Sequence, residues 1–297
     1  MRSMTYIGAA LFAACLAGAA SAQPVTIRDG WVAPGNWGSI WLQKKDLAKH
    51  FGQSYVMEPV HYVGTPPMIT ALATNEVEVT NLAYSTLGIA IGNAGLDDLR
   101  IISDEFQDGV EGYYSQGFMV LKDSPIQKVE DLKGMKMRVQ ATATEDAIFP
   151  AYGAQTVHMP FGSVYTSLQT GVMDFGENAV NVYLINKHYE VAPVLSMTEH
   201  EANNAILWIS DKLWQSLNAD QKQWVQTAAR DVSTQEPKRA FELERSAATK
   251  LEKMGVKIVA DVDKSGFQKI ADPYLDKLAK ELGPHADKIK SVIRAIN

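Results

Sequence analysis

The sequence predicts an α/β fold in two parts, closed by a long helical C-terminal region. Two observations carry this prediction. Between residues 25 and 139, short β-rich runs alternate with helical patterns and short loops, which favours a layer built on a largely parallel sheet. From Asp211 onward the apolar spacing becomes helical and stays so. The 275 residues left when a 22-residue leader is taken from 297 can bury one large core or two lobes.

The elements follow in order. Residues 25–27 open a strand, and 38–51 carry Ile40, Leu42, Leu47 and Ala48 at helix spacing. Residues 55–63 read as a second strand, followed by Gly64-Thr65-Pro66-Pro67 and a helix through Ala73. Residues 77–80 make a third strand, 84–92 a helix and 99–103 a fourth strand. Two more strands, 118–121 and 136–139, bracket 126–132. A second α/β unit opens near His158, with a helix over 164–168 ended by Gly171. A short strand over 172–174 and a turn at Gly176 then place Glu177 and Asn178 at the strand exit. Further on, Trp224, Val225, Ala228, Ala229 and Val232 form an apolar stripe that Phe241, Ala248 and Leu251 resume beyond Pro237. That proline lacks a backbone donor and is expected to kink or break the helix. Asn218 with Gln221 three residues later reads as a helix start. A last helical segment covers 272–296. The expected division is a leader over 1–22, a first lobe over 23–121 to which C-terminal segments return, a second lobe over 122–210, and the long helix with its closing segment over 211–297.

Residues 1–22 carry one Arg near the start, an apolar run over 7–17 and Ala20-Ser21-Ala22, the pattern of a cleaved export signal. The run is shorter than the ~20 residues that span hydrocarbon. Cys15, preceded by Phe12-Ala13-Ala14 as in an imperfect lipobox, is the one cysteine, so cleavage after Ala22 leaves no thiol for disulfides, catalysis or metal. The net charge of −6 becomes −7 without Arg2, and no strongly basic tract occurs, which argues against nucleic acid or anionic lipid as partner.

No nucleophile elbow, H-E-x-x-H helix, P-loop or dinucleotide turn is present, and no histidine pair sits at metal-ligand spacing. His188 beside Glu190, and His200 between Glu199 and Glu201, read as solvated charge rather than acid–base machinery. Binding chemistry is better represented. Arg138 sits between Met137 and Val139, so on a strand it faces away from both. A guanidinium emerging there suits a carboxylate, although spacing alone makes a surface ion pair the commoner outcome. Asn178 offers a donor and an acceptor, or simply turn chemistry beside Gly176.

Lys133-Gly134-Met135-Lys136-Met137-Arg138-Val139, Met159-Pro160-Phe161 through Tyr165, Leu168-Gln169-Thr170-Gly171-Val172-Met173-Asp174 and Glu177-Asn178 resemble the substrate-binding subunits of TRAP transporters. Lys187-x-Tyr189-Glu190, His200 and Trp214 to Leu217 extend the resemblance over roughly residues 115–297. It implies a periplasmic binding protein type II-like fold: two α/β lobes, hinge strands, and a long kinked C-terminal helix. It further implies that Arg138 binds a solute carboxylate with help from Asn178, that no cofactor or metal is used, and that the partners are integral membrane transporter subunits. Residues 64–73, 81–86 and 93–100 instead look like ABC-importer binding proteins of the nitrate, sulfonate and thiamine-precursor type. Ser115-Gln116 stands where TRAP subunits often carry a second pocket Arg, which disfavours a dicarboxylate.

The expected protein is a monomeric periplasmic solute-binding protein, not an enzyme, taking a small organic acid to a TRAP-type transporter. An ABC importer or a sensory receptor stays open as the recipient. Aromatic residues clustered in the first loop and helix (Trp31, Trp37, Trp41) and at later strand exits (Tyr84, Tyr113, Tyr114) fit a solute with an apolar or aromatic body, two of the six touching it. Alongside Arg138 and Asn178, the candidate contacts are Trp37, Tyr84, Ser85, Tyr114 and Gln116.

Overall fold

The computed structural model describes residues 24–32, 43–46, 48–83, 86, 90–92, 94–106, 114–121, 125–202 and 205–296. The expected leader, and with it Trp37, Trp41, Tyr84, Ser85 and Tyr113, lies outside the described residues. Two mixed sheets organise the chain. The first contains β1 (Val25–Trp31), β2 (Tyr55–His61), β3 (Val79–Ala83) and β4 (Arg100–Phe106). β1 runs parallel to β2 and β3, and Ala205–Ile209 enters antiparallel between β3 and β4. Its two faces are both covered. Ile27, Val79, Leu207 and Ile209 pack under Ala228 and Val232 of the long helix, while Leu82, Ile206 and Trp208 pack against Met68 and Leu72 of α1 (Thr65–Ala73). Burial on both faces is why Ala205–Ile209 reads as a continuous apolar run rather than an alternation.

The second sheet contains β5 (Gln116–Val120), β6 (Lys136–Val139), β7 (Gln155–His158), β8 (Phe175–Ala179), β9 (Val194–Ser196) and, from the C-terminal region, Lys257–Val259. β6 is parallel to β7 and β8, and β5 is antiparallel to β8 and β9. Phe118, Val120, Met137, Val139 and Phe175 face a cluster with Phe149 and Phe267; Met119 and Leu195 face Val164, Leu168, Ala247 and Leu251. Gly117 lies between β8 and β9, where a Cβ would stand 2.9 Å from the Ser196 carbonyl oxygen, so the strand needs glycine there.

One helix, Ala219–Lys253, contributes to the cores of both sheets: Ala228 and Val232 to the first, Ala247 and Leu251 to the second. At 1.5 Å per residue its 35 residues reach about 50 Å. Asn218 caps it as expected, Oδ1 accepting from Gln221 N and Gln221 Oε1 accepting from Asn218 N, both at 2.9 Å. Pro237 lies inside it without ending it.

Several expectations are corrected. β5, inside the expected first-lobe range 23–121, pairs into the second sheet, and Ala205–Ile209, inside the expected range 122–210, pairs into the first. The strand expected over 172–174 is instead Phe175–Ala179, so Glu177 and Asn178 lie within a strand rather than at its exit. Val172 is exposed and the backbone of Asp174 is already committed to Lys136, which delays the strand. Of the helix expected over 38–51, described residues 43–46 and 48–50 are turn or irregular, closing on a bridge between Phe51 and Tyr55. The closing segment divides at Gly283 (φ 94°) into Lys264–Leu282 and Pro284–Ile296, because glycine adopts the left-handed backbone that ends a helix.

Candidate functional site

Alternation along β6 sends Met137 and Val139 into the phenylalanine core and leaves Arg138 outside that core, as the sequence pattern requires. Arg138 is nevertheless buried, with 7% of its side chain exposed. Its Nε donates to the Met159 carbonyl oxygen at 3.0 Å, and the guanidinium carbon lies 6.0 Å from the Phe161 ring centre. The neighbouring segments meet the loop and helix that follow β2 of the first sheet. Gln140, two residues past Arg138, accepts a hydrogen bond from Thr65 Oγ1 at 2.9 Å, and Gly162 N donates to the Val63 carbonyl at 3.2 Å. Arg138 therefore lies where segments from the two sheets join.

The surroundings are acidic. Glu177 Oε1 stands 3.8 Å from Arg138 Nη1, beyond hydrogen-bond length, on a side chain only 10% exposed. Burial pushes the Glu177 carboxyl above its ordinary pKa, and Arg138 opposes that shift. Glu145, at the start of the helix Ala143–Ala151, is raised to about 7, first by burial and then by Glu177. Its oxygens accept from Gln140 N at 2.7 Å and from Thr142 Oγ1 at 3.2 Å. Burial lowers the Arg138 pKa against the pull of Glu177, Glu145 and Glu201, and an arginine remains a cation throughout.

Two histidines lie in the same neighbourhood and are not the solvated residues that their acidic sequence neighbours imply. His188 is 2% exposed, packs edge-on to Phe161 with ring centres 5.6 Å apart, and is lowered to about 4 by burial and then by Arg138. His200 stacks on Phe118 at 4.2 Å, with Nδ1 2.6 Å from Thr198 Oγ1, and burial lowers it to about 3. Adjacent charges in sequence carry no information about the tertiary packing that buries these rings. Oxygen or nitrogen atoms of Glu177, His200 and Glu201 lie within 4.8 Å of one another, a donor set that suits a cation by type. Arg138 already supplies positive charge beside Glu177, so the set is the guanidinium's acidic surround.

Among the other expected contacts, Gln116 is buried at 3% exposure with Oε1 unpartnered, and Tyr114 is half-buried. Asn178 is half-buried, and its Oδ1 accepts from Ala179 N at 3.0 Å; no hydrogen bond joins it to Arg138. Trp31 tilts against His61 at 4.6 Å. The sequence alone assigns no site role to the Phe161 ring, the Met159 carbonyl or Glu145, and it points to solvated charge at His188 and His200. The one available signal was Glu177 preceding Asn178 after a short-strand pattern.

Two α/β sheets bridged by one long helix, with a buried arginine where they join, define the two-lobed α/β binding-protein class. Residues 104–282 match the model of bacterial extracellular solute-binding protein family 7 (DctP), and the chain belongs to that family. It is 27% identical over 213 residues to the 2,3-diketo-L-gulonate-binding periplasmic protein of Escherichia coli, covering 71% of this chain and 64% of that one. It is 28% identical over 189 residues to the sialic acid-binding periplasmic protein of Vibrio cholerae, covering 56% and 59%. The chain thus spans less than two thirds of these relatives' length. The fold is also that of a TRAP periplasmic solute-binding protein from Xanthobacter autotrophicus with bound β-D-galacturonate (TM-score 0.79, 21% identity, 91% of this chain and 99% of that one). A Chromohalobacter salexigens TRAP protein with bound D-glucuronate aligns with TM-score 0.78 and 22% identity over the same shares. Residues 64–73, 81–86 and 93–100, expected to be like ABC-importer proteins, precede the family match, and no comparison shows that likeness; the fold aligns with the Xanthobacter protein over 91% of the chain.

Proposed function

We propose that the protein is a periplasmic solute-binding protein that captures a small organic acid between its two lobes and delivers it to a TRAP-type membrane transporter. The observation that carries this reading is the state of Arg138. It is buried, positioned through Nε by a backbone carbonyl, and among the described residues has no carboxylate within hydrogen-bond length of its terminal nitrogens. An incoming carboxylate supplies the two charge-assisted bonds that a guanidinium fork can make. Relatives named for diketogulonate and sialic acid, and similar structures holding uronates or succinate, support a carboxylate as the shared chemical handle. Gln116, Tyr114 and Asn178 are proposed to contact the rest of the solute, together with Trp37, Tyr84 and Ser85. Residues 1–22 are proposed as the export signal, and the reading involves no catalysis, cofactor or metal.

A thermal-shift screen of sugar acids, hydroxy acids and aromatic acids tests the proposal. A ligand at 100 times its dissociation constant adds about 2.7 kcal/mol of stability. The expected result is a carboxylate-dependent shift that disappears in Arg138→Ala; a shift of equal size in that variant refutes the assignment.

A further inference from the structure

Arg138 is the one buried cation among the described residues. Arg28 is committed to Glu78, and Arg100 to Asp211. The remaining lysines and arginines of the described chain are exposed or half-buried. The undescribed stretches after residue 23 contain only one Lys or Arg, Lys122. Glu177, nine-tenths buried, stands 3.8 Å from Arg138 Nη1, and Glu201 and His200 cluster with it.

Building on the proposed capture of an organic acid by Arg138, we propose that the site selects monoanionic acids and rejects dicarboxylates of the same skeleton, with Glu177 and Glu201 as the residues that enforce the choice. A single carboxylate takes the open terminal nitrogens of Arg138. A second carboxylate finds no other buried cation among the described residues and enters a space bordered by the carboxylates of Glu177 and Glu201. Burying a charge without a partner is costly, and like charges at close range add to that cost. Protonation does not reverse the argument, since a protonated Glu177 offers a hydrogen-bond donor and still no cation. Two neutral buried groups, Gln116 Oε1 of β5 and Asn181 Nδ2 of the helix Val180–Ile185, have no hydrogen-bond partner among the described residues and suit hydroxyl or carbonyl groups on the rest of the solute.

Titration calorimetry at neutral pH with matched pairs tests this: D-gluconate against D-glucarate, monomethyl succinate against succinate, and benzoate against terephthalate. In every pair with a bound member, the monoacid is expected to bind at least tenfold tighter, and Glu177→Gln to shrink that ratio at least threefold. Glu201→Gln, at an exposed position, is expected to shrink it less and does not depend on rebuilding a buried site. A diacid that binds equally or more tightly, yet loses binding in Arg138→Ala, overturns the selectivity and leaves carboxylate capture standing. A ratio unchanged in both glutamate variants also overturns it. Failure of all six acids to bind removes the capture reading and this inference together.

Discussion

Two arginines, one in each sheet, lie close to a glutamate and are bonded in opposite ways. Arg28 of β1 is saturated: its Nε bonds both Glu78 oxygens at 3.1 Å, its Nη2 bonds Glu78 and the Asn75 carbonyl, and its backbone N–H reaches Glu78 at 2.8 Å. Its side chain is 39% exposed, so water shares the charge. Arg138 is far more buried and far less satisfied, with one backbone acceptor on Nε and a carboxylate held off at 3.8 Å. A protein that needed Arg138 only for its fold would leave an expensive buried charge underbonded. The contrast separates an arginine that stitches a strand to a loop from a buried one with a single described hydrogen bond, on Nε.

The strongest way to break that contrast is to truncate each arginine. Arg138→Ala is expected to weaken binding of the captured acid by about 2–5 kcal/mol, the usual cost of removing one partner of a desolvated charge pair. Arg28→Ala is expected to lower the melting temperature and leave the dissociation constant unmoved. Calorimetry and thermal melts on both variants decide it, and equal losses of affinity would erase the distinction.

The Phe161 ring sharpens the comparison, since no aromatic ring serves Arg28 in this way among the described contacts. Phe161→Leu removes a cation–π contact that is worth up to about 2 kcal/mol when desolvated. Affinity is expected to fall by no more than thirtyfold, with most of the loss in the dissociation rate measured by stopped flow.

Acid titration probes the buried surround. His200 in the folded protein titrates near 3, while in the unfolded chain it takes a proton near its ordinary value of about 6.5. The unfolded state therefore binds more protons between those values, and stability falls as pH drops from about 6.5 toward 3. Glu145 works in the other direction: raised to about 7, it favours the folded state at low pH and loses that contribution as pH rises through 7. His200→Gln is expected to flatten the acid-side loss in urea melts between pH 6.5 and 4 relative to the parent protein. An unchanged slope would place His200 in solvent.

The smallest effect calibrates the others. Asn218→Ala removes the cap of the long helix, on the side of the first sheet, and is expected to cost about 1 kcal/mol of stability. Ligand affinity should not change, which chemical denaturation with and without solute will establish.

Much of the fold was legible in the chain. Lys136–Val139 is the strand that the alternation around Arg138 required, and the cap at Asn218 follows from two residues. Both are local matters of side-chain period and a single turn. The three-residue strands Val194–Ser196 and Lys257–Val259 left no pattern, because three residues cannot express a period and their pairing partners are distant in sequence. Pro237 did not break the helix, for a related reason. A missing donor weakens a helix locally, but packing against two cores holds the helix through it.

By itself, the sequence determined that Arg138 stands between two core residues on a strand and so faces away from both. Only the tertiary structure decided what surrounds it. Glu145, Glu177, His188 and His200 come from four separate segments and converge on Arg138 through sheet pairing and the junction at Gln140 and Gly162. Burial and electrostatic coupling depend on distance in space, and no spacing along the chain encodes a contact between residues forty or sixty positions apart.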